Sequence, residues 1–186
     1  MLTTTVEEKE LRIGKRIRKL RKQLKYTLKD VAKNSGFSVS LISKIENDKI
    51  FPSAGTLFKI AKALNTNIQS ILEEESPTNV VLTNKDKAEK SFIRTEKGFD
   101  IFPYATEHKE NKIQAFLYNA NKKNVRTHND SHDGQEFIYL IEGILCVRIK
   151  DKKYILNPGD SIYFDSSDSH ECFPISEDAK YLGFFA

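Results

Sequence analysis

The sequence predicts a two-domain chain, α then β: a five-helix bundle followed by a small β-sandwich or barrel. Three observations predict it. Apolar residues recur at helical spacing up to about residue 75, and past residue 90 that period gives way to short β-type runs separated by turn signals. The charge divides at the same place. Residues 1–75 hold 15 Lys and Arg against 9 Asp and Glu, a net of +6, whereas residues 76–186 hold 15 against 17, a net of −2. At 186 residues the chain is long enough for two small domains, and the expected boundaries are 1–75, a linker at 76–90, and 91–186.

In the first domain, Ile13, Ile17, Leu20 and Leu24 mark one face of a helix from residue 8 to about 24. Glu7, Glu8 and Glu10 lie at its positive end and Lys22 and Lys25 near its negative end, as the helix dipole favours. Thr27, with Asp30 three residues on, can cap a second short helix that turns Val31 and Ala32 inward. Asn34-Ser35-Gly36 ends it, and Gly36 suits a left-handed turn position. Ser38 starts a third helix with Leu41, Ile42 and Ile45 inward, ended by Asn47-Asp48. Pro52-Ser53 opens a fourth carrying Leu57, Ile60, Ala61 and Leu64, and Ile68, Ile71 and Leu72 belong to a fifth.

Two short helices joined by a Gly-containing turn form helix-turn-helix geometry. The run from Thr27 to Asn47, continued by Lys49 to Ser53 and Leu57 to Leu64, resembles the phage-repressor (Xre/Cro) helix-turn-helix family over about residues 12–73. That resemblance implies binding to double-stranded DNA, with the third helix in the major groove of a palindromic operator. By position, Val39, Ser40, Ser43 and Lys44 would face the bases, and Thr27, Lys29 and Lys49 would hold phosphates. Arg21 and Glu46 match a pair that bridges the first and third helices in relatives. The competing expectation is a bundle used only for protein contacts.

Residues 75–90 lose helical period and predict a polar linker with a short extended piece at Val80–Leu82. Beyond it, strands are expected at Ser91–Thr95, Asp100–Tyr104, Lys112–Asn119, Phe137–Ile141, Leu145–Lys150, Lys153–Leu156, Ser161–Phe164 and Tyr181–Phe185. Turns fall at Glu142-Gly143 and Asn157-Pro158-Gly159-Asp160. About eight short strands of this kind predict a sandwich or barrel with closed edges.

His132, Glu136, Gly143, Gly159 and His170 fit the spacing of the two motifs of the cupin jelly roll, which residues 95–186 resemble. The chain departs from the pattern at Asp130, where a first His is expected, with His128 displaced by two, and at Asp165-Ser166-Ser167, where a Pro-x-Gly turn is expected. Residues two or four apart on a strand share a face, so Asp130, His132 and Glu136 can point inward together. His132, Glu136 and His170 would form a two-His, one-carboxylate set suited to iron(II), with manganese, nickel or zinc as alternatives. Asp130 is either a fourth ligand or a partner of the ligands; a pocket of satisfied histidines without metal is the competing expectation. His108 reads as a solvated loop residue and His128 as a pocket-rim or turn residue.

Together the two domains resemble regulators in which such a helix-turn-helix precedes a cupin sensor. The resemblance implies a small-molecule effector and a homodimer, with Tyr104, Arg126, Tyr139, Arg148 and Tyr163 as candidate effector contacts. The alternative is a metal-dependent enzyme, because the triad is also similar to that of the iron-dependent epoxidase of phosphonate antibiotic synthesis. No apolar stretch approaches the roughly 18 residues a membrane span needs, and no signal-peptide core opens the chain, so a cytoplasmic protein is expected. Cys146 and Cys172 fit a reducing compartment, as small strand residues rather than a disulfide.

Overall fold

The helical unit comes first in the computed structural model, which describes residues 12–72, 78–108 and 111–186. Helix α1 spans Ile13–Gln23, α2 Leu28–Ser35, α3 Val39–Glu46, α4 Ala54–Ala63 and α5 Ile68–Leu72. The start expected at residue 8, with Glu7, Glu8 and Glu10, lies outside the described residues. Ile13 and Ile17 are buried, but Leu24 falls past the end of α1 and is exposed. The Thr27 hydroxyl accepts from the Asp30 amide and the Asp30 carboxylate accepts from the Thr27 amide, completing a capping box. Gly36, at φ 75°, ends α2 in the left-handed conformation. Ser38 and Ser53 cap α3 and α4 through the amides of Leu41 and Thr56.

The expected linker contains a helix, α6 (Lys85–Lys90), capped by Asn84. Val80 to Leu82 form no strand and are largely exposed. Helix α6 carries one buried apolar residue, Ala88, which packs on Phe102 and Leu117 of the sheet. With a single inward residue in six, it has no period for a sequence pattern to detect.

The sheet contains β1 (Ile93–Arg94), β2 (Asp100–Pro103), β3 (Gln114–Asn121), β4 (Gln135–Ile149), β5 (Lys152–Leu156), β6 (Ser161–Asp165) and β7 (His170–Phe185). All pairings are antiparallel, in the order β1-β2-β3-β7-β4-β5 with β6 on β4. The hydrogen-bonded path is not closed, which does not conflict with the expected sandwich or barrel. Two strands are longer than predicted. Phe137–Ile141 and Leu145–Lys150 belong to one strand, β4, and the turn expected at Glu142-Gly143 is an irregularity within it. Gly143 has φ 81°, and a Cβ there would meet Ala179 Cα at 2.9 Å, so the strand bends at a residue without a side chain. Opposite, β7 begins at His170 rather than Tyr181. Pro174 and the polar residues after it lie where the β4–β7 register shifts, which hides the strand in the sequence.

The two units share one continuous apolar core. Phe51 forms a parallel bridge with Thr95, and Glu96 amide donates to Phe51 carbonyl at 3.0 Å. The Glu96 carboxylate accepts from the Ser53 amide and the Thr56 hydroxyl, both at 2.6 Å. The first turn of α4 is therefore held on the β unit by a charge placed at its positive end.

Candidate functional site

The α2-turn-α3 pair is clamped by Arg21. Its Nε and Nη2 donate to the two Glu46 carboxylate oxygens at 2.6 and 2.9 Å, and its Nη1 donates to Tyr26 carbonyl at 2.8 Å. Glu46 is buried at 4% exposure, so this bidentate pair fixes α3 against α1. Val39, Ser40 and Lys44 are exposed on α3 and Ser43 is half-buried; Thr27, Lys29 and Lys49 are exposed on the flanking turns and α2. Val39 is 41% exposed although apolar. The Thr27 hydroxyl also donates to Asp30, whose carboxyl it holds below its ordinary range.

Within the β unit, β4 brings Glu136 inward, β7 brings His170, and the segment before β4 brings His132. All three are buried, and their ligand atoms lie within 4.8 Å of one another. Glu136 Oε2 is 3.6 Å from His170 Nε2 and 4.0 Å from His132 Nε2. His132 Nδ1 lies 3.1 Å from Asp133 carbonyl, and His170 Nδ1 lies 2.8 Å from Asp168 carbonyl. A carbonyl only accepts, so each Nδ1 carries the proton and each Nε2 turns a lone pair toward Glu136. His132 Nε2 is buried with no hydrogen-bond partner. Burial pushes the Glu136 carboxyl up to about 8, with Asp130 adding and Lys97 opposing. Burial also lowers both imidazoles, with carbonyl bonding opposing. Two imidazoles, one with an orphaned buried nitrogen, and a buried carboxyl form a donor set that can hold a divalent ion. Ligand distances of about 2.0–2.2 Å would draw the donors in by under an ångström or so.

Asp130 lines the same cavity but is not among the three clustered donors. It is ion-paired to Lys97, and its backbone pairs with His170 in an isolated bridge. Burial opposes its ionisation, but the Lys97 ammonium outweighs burial and holds the carboxyl below its ordinary range. His128 is likewise outside the cluster: its Nδ1 faces Arg126 carbonyl at 2.8 Å, and its Nε2 accepts from Cys172 amide at 3.5 Å. The expected effector contacts are not brought together. Glu136 points inward, so Tyr139, three residues on, faces out, and Tyr163 opposite Phe137 is 61% exposed. Tyr104 packs against Phe102 beside α6. Arg126 and Arg148 line a separate shallow recess, where Arg148 pairs with Glu171 at 2.6 Å. His108 is half-buried and bridged to Thr78 rather than solvated.

Two neighbours of the cluster had no signal in the sequence. Lys97, on the turn after β1, supplies the countercharge of Asp130. Phe58, an outlying apolar residue of α4, stacks on His132 with ring centroids 4.8 Å apart at 9°. Cys146 and Cys172 are buried and free, and burial pushes both thiols up.

Fold and site together define a helix-turn-helix unit joined to a β unit that buries a His/Glu/His cluster. Residues 17–71 match the helix-turn-helix family model, and residues 119–184 match the cupin domain model. The HTH-type transcriptional regulator PuuR of Escherichia coli (strain K12) is 26% identical over 162 residues, covering 84% of each chain. The HTH-type transcriptional regulator SinR of Bacillus subtilis (strain 168) is 34% identical over 67 residues, 36% of this chain and 60% of that one. A crystal structure of an HTH_3 family transcriptional regulator from Vibrio cholerae shares the fold at TM-score 0.65 and 21% identity, covering 94% of each chain. The chain is a DNA-binding transcriptional regulator of the helix-turn-helix class that carries a cupin domain. Among the described residues no helix is long and apolar enough to cross a membrane.

Proposed function

We propose that this regulator acts in the cytoplasm as a homodimer on a palindromic operator, with the cupin pocket reading a divalent metal ion, alone or with a small effector. The observation that carries the proposal is the free face of α3. Val39 stands exposed beside Ser40 and Lys44, on a helix locked in place by Arg21 and Glu46. A solvent-exposed valine there suits a thymine methyl, and Lys44 suits guanine acceptors. Lys29, Lys49 and Thr27 flank that face and suit phosphates. Two-fold symmetry would set a pair of recognition helices about 34 Å apart on one side of the duplex.

The His132, Glu136 and His170 donors support a pocket whose charge changes when an ion replaces the proton on Glu136. An effector shifts a DNA-binding equilibrium only through unequal affinity for its two states. Selection from a random duplex library, followed by fluorescence anisotropy over a salt series, tests the proposal. A selected palindrome bound below about micromolar Kd, weakening steeply with salt, is expected. Failure to enrich any sequence at low salt overturns it.

A further inference from the structure

The cavity around the donor cluster measures about 40 Å³. That admits an ion with one or two waters, whereas small-molecule sites run to about 300–1,000 Å³. A space of the larger size lies beside it. A cleft of about 1060 Å³ runs between the helical unit and the β unit, and His132 and Phe185 line both spaces. Interfaces between folded units are preferred places for ligand sites.

The walls of the cleft come from both units. The helical wall carries Lys33, Lys59 and Lys62, and the β wall carries Lys112 and Asp133. Among the described residues Asp133 is the only acidic side chain along it. Asp133 pairs with Lys62 at 2.6 Å, but the two side chains are 74% and 71% exposed, so an incoming anion can replace the carboxylate. Lys33 and Lys62 stand in the last turns of α2 and α4, whose C-termini each carry about half a negative charge. Those two half-charges offset about one ammonium and Asp133 a second, so the cleft stays positive. Phe58 adds an apolar surface, and the buried Gln114 adds an amide.

We infer that this cleft binds a small molecule with two or more anionic groups, carboxylate or phosphate, and an apolar portion that lies on Phe58. Lys33 comes three residues before Gly36, the left-handed residue in the turn between α2 and α3. A ligand held by Lys33 and Lys112 together ties that turn to the β unit. It favours one placement of the two units over others, and such unequal affinity is what shifts a DNA-binding equilibrium. The site gives the proposed regulator its effector and rests on that reading, yet binding to the cleft is measurable without DNA.

The full-length chain, freed of metal with EDTA and dialysed, is titrated calorimetrically with citrate and with pyrophosphate at constant ionic strength. One of the two should bind with a Kd below about 1 mM, and the tighter of them tells carboxylate from phosphate. Lys33→Ala and Lys112→Ala change exposed residues on opposite walls, and each should weaken binding about tenfold, as for one lost charge-assisted hydrogen bond. Lys29→Ala on the DNA face and Glu136→Ala in the donor cluster should leave it unchanged. No heat from either anion up to about 10 mM overturns the site. So does binding that survives both lysine changes, or that Lys29→Ala or Glu136→Ala removes. In a second arm, saturating anion should change affinity for a selected operator at least about fivefold, relative to sodium chloride of equal ionic strength. Equal affinities overturn the link between cleft and DNA. If selection yields no operator, the regulator reading fails, while calorimetry still decides the cleft.

Discussion

Replacing Arg21 by alanine is the sharpest test of how this protein holds its recognition helix. The guanidinium meets both Glu46 oxygens, at 2.6 and 2.9 Å, and the side chains are 12% and 3% exposed. Removing it strands a buried carboxylate, which costs about 3–5 kcal/mol. The lower end applies here, because Arg21 keeps a little solvent contact and water can reach the space it leaves. Arg21→Ala should therefore lose about 3 kcal/mol, and at about 2–4 °C per kcal/mol for two units sharing one core the melting point should drop by roughly 6–12 °C. Circular dichroism of thermal and urea unfolding measures it. The same argument requires the double variant Arg21→Met/Glu46→Leu to recover to within about 1 kcal/mol of wild type, since no charge is then left unpaired. A loss below about 1 kcal/mol in the single variant would refute the reasoning. So would a double variant less stable than the single one.

Other expectations concern DNA, metal and pH. Lys44→Ala should relax base preference at one operator position, while Lys29→Ala lowers affinity evenly and makes the salt dependence shallower by about one unit per lost contact; anisotropy on a panel of mutated operators separates them, and equal effects contradict the roles. Glu136→Ala and His170→Ala should each abolish any bound Co²⁺, read by its visible absorption, while Asp130→Asn should retain it; retention in all three would remove the cluster as the site. Without metal, Glu136 keeps its proton in the fold up to about 8 but loses it near 4.5 when unfolded, so its contribution to stability is lost as pH rises. His132 and His170 act in the opposite sense, because their lowered values cost stability only below about their ordinary 6.5. The melting point in chelator should therefore fall from pH 6.5 to 8, and a rise over that interval would contradict the buried carboxyl. Oxygen uptake with iron(II) and small hydroxylated or phosphonate substrates should stay at background; turnover would favour an enzyme.

Legibility tracked the range of the interaction. Caps and turns are local, so Thr27, Gly36, Ser38 and Ser53 marked their helices without any tertiary information. The strand faces were legible where apolar alternation was clean, and Glu136 and His170 meet as that alternation implies. It failed at β7, where Pro174 interrupts the alternation, and at α6, which has one inward residue. Strand parity places Tyr139 on the face opposite Glu136, where it is exposed. Nothing local tied Lys97 to Asp130 or Phe58 to His132, because each pair joins segments far apart in the chain.

The sequence by itself pointed to a helical unit followed by a β unit, to the helix-turn-helix, and to the three residues His132, Glu136 and His170 that the structure brings together. Periodicity, capping and motif spacing are written within one element at a time. Only the tertiary structure decided that Lys97 pairs with Asp130 and that the first turn of α4 lines the cavity around the cluster. Those outcomes depend on how the helical unit seats on the sheet, through Glu96, Phe51 and a shared apolar core, and no single segment encodes that docking.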